Sequence, residues 1–344
     1  MWFLDGNIDI AAQSTYFRVH EGVLSRHSTV FPKLFAEAEL ELDGVSAFES
    51  GGYGGIGDNL VVRVSDSAHD FKHILRILYD GFEYAYNHLY SFYRLTVSRY
   101  MKRTRPINFS DLASAARLAH KYSIAPVLDE ALTRMQAYLP PTLDLWESNA
   151  HLRTPASVFS ATSPVPSRPY TFTFCTRNAI EAVHLLRALD PAGPASSMLP
   201  PALYLCAQLA PADVLRGVRR ADGTLERLGA EHDDAARCWT LQRALVRESL
   251  AAHSRAFDTG PDAKKDLCRA CRAPGGAVQD AEARLRDKAL HGDPLGPALR
   301  ESIAGLSTAP FKVCETCVGA IKAREEASRR DLWARLPKMT GVES

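Results

Sequence analysis

The feature that most limits this chain is a change of apolar period within its first 35 residues. Ile8 and Ile10 alternate with Asp9 in a short run, a polar Gln13-Ser14-Thr15 turn follows, and Tyr16-Phe17-Arg18-Val19 forms a second run. Two such runs joined by a short polar turn predict a β-hairpin. From His20 the spacing becomes helical. His20 to Arg26 reads as a short helix with Val23 and Leu24 inward, and Ser28 is placed to cap a second one carrying Phe31, Leu34 and Phe35. Pro32 falls in its first turn, where a backbone N–H has no helical partner to lose. A hairpin followed at once by amphipathic helices predicts an α+β fold with a small sheet at its start.

The rest of the chain sorts around breakers. Residues 37–58 are acidic and then glycine-rich. The run Gly51 to Gly57 lacks the Gly-Lys-Ser/Thr ending and following helix of a phosphate loop, so it reads as a hairpin loop before a strand from Leu60 to Val64. Ser67 and Asp70 resemble a capping box ahead of a helix on Phe71, Ile74, Leu75, Leu78 and Tyr79, which Asp80-Gly81 ends. Residues 82–105 are crowded with aromatics and end on bases, read either as a surface insertion or as a gene-model artefact such as an unspliced intron. Ser110 opens a helix with Leu112, Ala115, Ala116 and Ala119 on one face, and Leu128, Ala131, Leu132 and Met135 mark another, stopped by Pro140-Pro141. Residues 140–170, rich in Pro, Ser and Thr, are the expected linker. Residues 171–344 read as mostly α-helical, with helices from Asn178 to Leu189, Ala202 to Leu209, Ala212 to Val218, Asp233 to Ala256 and Glu315 to Leu336. Trp239, Leu241, Ala244 and Leu245 are the anchors expected in the fourth. The mixed charges from Lys322 to Arg330 suggest a solvated face in the last.

Composition removes whole classes of function. With 41 Lys+Arg against 40 Asp+Glu and a net charge of +1, nothing steers the 344-residue chain as a whole toward nucleic acid or an anionic membrane. No run approaches the roughly 18–20 apolar residues of a membrane span, and the N-terminus lacks the basic region of a signal peptide. Seven cysteines without a secretory signal point to a reducing compartment, so cytoplasm or nucleus is the expected location.

Three blocks together resemble the BTB/POZ domain, most of all its fungal members. The first is Phe17-x-Val19-His20-x-x-Val23-Leu24-x-x-x-Ser28-x-x-Phe31-x-x-Leu34-Phe35. The second is Asp66, Phe71 and the ILRILYDG run. The third is Leu118-Ala119-x-x-Tyr122. The resemblance covers residues 1–139, with insertions near 37–58 and 82–105. It implies a small sheet flanked by helical hairpins, with His20 as a buried, hydrogen-bonded core histidine. It also implies protein partners: family members dimerise or recruit others, including transcriptional regulators and the cullin scaffolds of ubiquitin ligases. Asn7 and Glu21 stand where the family often has an acid and a base facing one another across its dimer interface, so homodimerisation stays open.

Cys268-x-x-Cys271 and Cys314-x-x-Cys317 are the one constellation suited to metal chemistry. Four thiolates match tetrahedral zinc, but the segment from Arg272 to Val313 is longer than zinc-ribbon spacing, so the set reads either as a structural zinc site or as four unrelated thiols. Cys175, Cys206 and Cys238 read as small buried hydrophobes. No triad, carboxylate pair or cofactor loop is legible, and an enzyme is not expected. The expected function is a protein-interaction module, with a cullin-type substrate adaptor and a nucleic-acid-binding regulator as alternatives.

Overall fold

Five residues of the first strand, β1 (Ile8–Ala12), are all buried, because the strand is the middle one of three. It pairs antiparallel with β2 (Thr15–Val19), Ile8 opposite Val19, and parallel with β3 (Leu60–Val64), Ile8 opposite Leu60. The structure, a computed structural model, describes residues 1–44, 59–80, 107–150, 172–173, 177–189, 193–229, 233–261, 266–291 and 293–342. The glycine-rich part of the first insertion, the 82–105 segment, the linker from residue 151 on and Cys175 lie outside the described residues. In the two-residue turn of the hairpin Gln13 takes φ 54°, as a tight hairpin turn requires. Asp9, buried in the middle strand, is matched by Arg18 directly opposite, which donates to both carboxylate oxygens at 2.8 and 2.9 Å, the geometry that makes a buried carboxylate tolerable.

Helices α1 (Glu21–His27), α2 (Phe31–Gly44), α3 (Ala68–Asp80), α4 (Phe109–Lys121) and α5 (Ala125–Gln136) pack around this sheet. Ser28 does cap the second of them: its Oγ accepts from the N–H groups of Val30 and Phe31 and donates to the carbonyl of Tyr122. Half of the expected capping box forms, with Asp70 N–H donating to Ser67 Oγ at 3.1 Å. Helix α4 starts one residue before Ser110, because Asn108 accepts from Asp111 N–H and takes the capping role. Phe17, Leu24, Phe35, Leu75 and Leu118 are all buried in the core. His20 is half-buried at its edge: its N–H donates to Tyr79 Oη at 2.7 Å, its Nδ1 lies 3.2 Å from the same oxygen, and its Nε2 faces Asp5.

The chain divides into two compact units, and they do not follow the division expected from sequence. One is Met1–Tyr138, Leu152–Ala195 and Val218–Glu226; the other is Leu139–His151, Ser196–Gly217 and Arg227–Ser344. The first therefore takes in α7 (Asn178–Ala188) and the small hairpin of β6 (Val218–Arg219) and β7 (Leu225–Glu226), as well as a short parallel pair, β4 (Ile107–Asn108) with β5 (Phe172–Thr173). Buried charge ties them in. Arg117 of α4 donates to Asp70 of α3 and, at 2.9 Å, to Glu181 of α7. Arg220 donates to Asp70, Asp222 and Glu226, and His184 Nδ1 lies 3.0 Å from Glu226.

The second unit holds α6 (Leu143–Ser148), α8 (Pro194–Ala207) from Ser196 on, α9 (Pro211–Arg216), α10 (Asp234–Ala256), α11 (Ala277–Leu290), α12 (Pro297–Ala304) and α13 (Glu315–Met339). The linker expected from residue 140 is thus partly a folded element: α6 buries Leu143 and Trp146. Helix α8 begins eight residues before Ala202 and runs through Pro200 and Pro201. Burial of Met198, Leu199, Leu203 and Tyr204 outweighs the lost helical hydrogen bonds. Helices α10 and α13 run antiparallel, Arg237 reaching the carbonyls of Thr340 and Gly341 at one end and Arg255 reaching Ser328 toward the other. Leu241 and Leu245 anchor α10 as expected, while Trp239 is exposed. The charged run in α13 is not a fully solvated face, since Glu325 and Arg329 are buried within it. No helix among the described residues is long and apolar enough to cross a membrane.

Candidate metal centre

The four cysteines come together through two local devices. Cys268 and Cys271 lie in the irregular stretch between α10 and α11, and Cys314 immediately precedes α13 while Cys317 sits in its first turn. Cys271 N–H donates to Cys268 Sγ at 3.4 Å, curling the first pair into a knuckle, and Cys268 N–H donates across to Cys317 Sγ at 3.2 Å. Gly276 closes the turn into α11 where a side chain has no room: a Cβ there would lie 2.7 Å from the carbonyl oxygen of Cys271. Val278 N–H then returns to that same carbonyl at 3.2 Å.

The sulfur geometry suits one ion. Cys314 Sγ lies 3.7 Å from Cys268 Sγ, and the four sulfurs all lie within 4.8 Å of one another. A tetrahedral zinc with Zn–S bonds of about 2.3 Å spaces its sulfurs about 3.8 Å apart. The stretch from Arg272 to Val313, long for a zinc ribbon, is occupied by α11 and α12. Their Val278, Ala281, Leu285 and Ile303 share one core with Phe257, Leu267, Cys271, Val313, Cys317 and Ile321. The two pairs therefore meet because a helical hairpin returns the chain, a solution that spacing alone does not display.

The thiols differ in acidity. Hydrogen bonds, first from the N–H of Cys271, bring the Cys268 thiol down to about 7. Burial pushes Cys317 up to about 12 and raises Cys271 as well. Four thiolates at this spacing repel one another, and a bound dication is what allows all four to ionise. Cys268 and Cys314 lie toward solvent, Cys271 and Cys317 inward, so an ion here has access from one side and packed helix behind it. A set of four thiolates would leave no position for water, which suits a structural role. Of the three cysteines outside the set, Cys206 and Cys238 are buried as expected.

The described residues hold a second group of ligand-type side chains, His69, His73 and Asp111, in the N-terminal unit. The His-x-x-x-His spacing was visible in sequence; the carboxylate, supplied by another helix, was not. Comparison with known proteins gives no match, whether against family models, curated proteins or solved structures.

Proposed function

We propose that this chain is a non-enzymatic protein-interaction module of the BTB/POZ type, whose C-terminal unit is braced by a structural zinc on Cys268, Cys271, Cys314 and Cys317. The observation that carries the first part is the meeting of the three sequence blocks at Tyr122. Its ring stacks on Phe31 with centroids 4.3 Å apart, its carbonyl accepts from Ser28, and its hydroxyl donates to Asp66. Residues of all three blocks thus share one packed cluster, which supports reading them as parts of a single domain. Function then consists of burying an apolar patch against a partner, without bond chemistry. The zinc part is supported by the sulfur spacing. Asn7 Oδ1 accepts from the backbone N–H of Glu21 at 2.9 Å, and an amide and an acid at these positions cannot form the acid–base pair of the family's dimers, so self-association does not rest on that pair.

Two measurements test the reading. The mass in solution of the full chain, with titration against a purified cullin N-terminal domain, is expected to give either a dimer or a micromolar complex; the second result would favour the ubiquitin-ligase adaptor. A monomer that binds no cullin at about 100 μM, well above the micromolar range of specific complexes, removes the BTB-type interaction. Protein purified without chelator is expected to carry zinc at the cysteines, and less than about half an equivalent removes the metal.

A further inference from the structure

Two imidazoles and a carboxylate meet on the N-terminal unit, with no cysteine among them. His69 and His73 are four residues apart on α3 and so share a face; their ring centroids are 4.5 Å apart. Asp111 stands in the first turn of α4, where Asn108 accepts its N–H at 2.8 Å and fixes the path of the turn. His73 Nε2 lies 3.3 Å from Asp111 Oδ1, and one donor atom from each of the three residues lies within 4.8 Å of the others. Nitrogen and oxygen ligands at about 2.0–2.1 Å from a tetrahedral ion stand about 3.3 Å apart. The His73–Asp111 pair already has that separation. His69 is the member left to adjust, and its side chain, 28% exposed, is the least confined of the three.

A second observation concerns the residue behind the cluster. His69 Nδ1 lies 3.5 Å from Asp70 Oδ1, and Asp70 is a buried acid held by Ser114, Arg117 and Arg220. A fixed carboxylate beside one ring nitrogen is the usual partner of a metal-bound histidine. It keeps the proton on Nδ1 and leaves Nε2 as the ligand atom. The pair at i and i+4 is also the spacing by which one helix offers two histidines to one ion.

We propose that His69, His73 and Asp111 form a second metal site, for a divalent ion of the zinc class, with a coordination position left for water or an outside donor. Two imidazoles with one carboxylate favour zinc, cobalt(II) or nickel(II) over calcium and magnesium, which take oxygen ligands. Three protein ligands leave the tetrahedron open, in contrast to the closed cysteine set. The site is independent of the cysteines.

The test uses the full chain, reduced, stripped with chelator and retitrated with zinc against a competing indicator. Wild type is compared with the His69→Gln/His73→Gln double variant and with Asp111→Asn. The readout is the difference between wild type and variants, so it stands whether or not the cysteines load. Wild type is expected to take one equivalent more than the double variant. Asp111→Asn is expected to weaken that equivalent by at least about 100-fold, since loss of a mere outer partner costs 10–100-fold. With cobalt(II), the equivalent lost in the variants should carry no thiolate charge-transfer absorption. If the double variant does not fold, as judged by circular dichroism, Asp111→Asn decides alone. Equal stoichiometry and affinity in wild type and the folded variants overturn the site and leave an ordinary histidine–aspartate contact between two helices.

Discussion

Arg329 shows how much one side chain can organise. From α13 its Nε donates to Glu147 at 2.9 Å, Nη1 to the carbonyl of Gly296 at 2.9 Å and Nη2 to that of Leu295 at 3.0 Å. No lysine reproduces that planar fork, so Arg329→Lys should cost about 1–3 kcal/mol, chiefly at the Gly296 carbonyl, because Glu147 keeps Arg300 and the Leu295 carbonyl keeps Trp146. Urea unfolding checks this, and a loss under about 1 kcal/mol would show the fork to be dispensable. Glu181 makes a different demand. Burial pushes its carboxyl up to about 7 against the pull of Arg117 and Arg220. The folded state therefore holds a proton that the unfolded chain releases near its ordinary 4.5. The resulting stabilisation is complete below that value and is lost as pH rises to about 7, at most about 3 kcal/mol. Glu226 has the opposite sign. Burial works against its charge, but hydrogen bonds from His184 and Arg220 hold it at about 2, so its contribution is lost as pH falls from about 4.5 toward 2. Glu181→Gln should flatten the stability profile between about pH 4.5 and 7 and leave the acid limb unchanged. Thermal melts of both proteins across that range give the comparison, and parallel profiles would contradict it.

At the scale of elements, those with strong alternation or an amphipathic face were legible in sequence, and those made by tertiary packing were not. The hairpin and α3 to α5 follow from Ile8, Ile10 and Phe17 and from the spacing of Phe71, Ile74, Leu75 and Leu78. Helix α6 was hidden because six residues between prolines and a Ser/Thr-rich stretch carry no period of their own. Only the partners of Trp146 make it an element: it donates to the carbonyl of Leu295 at 3.4 Å, lies edge-on to Tyr204, and meets Trp333 with ring centroids 5.4 Å apart. Helices α11 and α12 were missed for related reasons: alanine supplies half of the buried face of α11 (Ala281 and Ala289 beside Val278 and Leu285), and the eight-residue α12 fully buries Ile303 alone. Trp146→Ala is expected to cost about 3–5 kcal/mol, the loss for a buried aromatic, and Trp146→Phe less. Chemical unfolding indistinguishable from wild type in both would return residues 140–150 to the role of a linker.

For the molecule as a whole, sequence identified the four cysteines but not the unit they belong to. Breakers such as Pro140-Pro141 and the following Ser/Thr-rich run mark where the chain changes composition, yet the units exchange segments across that mark. The exchange depends on which side chains find each other: Glu181 and Arg220 with Arg117 and Asp70 in one unit, Trp146 with Tyr204 and Trp333 in the other. Pairings of that kind leave no period to read. Two units with separate cores should unfold in more than one step, and zinc at the cysteines should stabilise only the C-terminal one, whose core contains Cys271 and Cys317. Zinc at 1,000 times its dissociation constant adds about 4 kcal/mol, worth about 8–16 °C for a unit of this size. Trp146, Trp239 and Trp333 all lie in the C-terminal unit and Trp2 in the other, so tryptophan fluorescence follows mainly the former. Chelator should therefore lower the fluorescence-detected midpoint by that interval. It should leave any transition seen only by far-ultraviolet circular dichroism shifted far less, and Cys317→Ser should reproduce the effect without chelator. If both probes fall together by the same amount, the metal is not acting through the C-terminal core. If neither moves, the cysteines carry no stabilising ion.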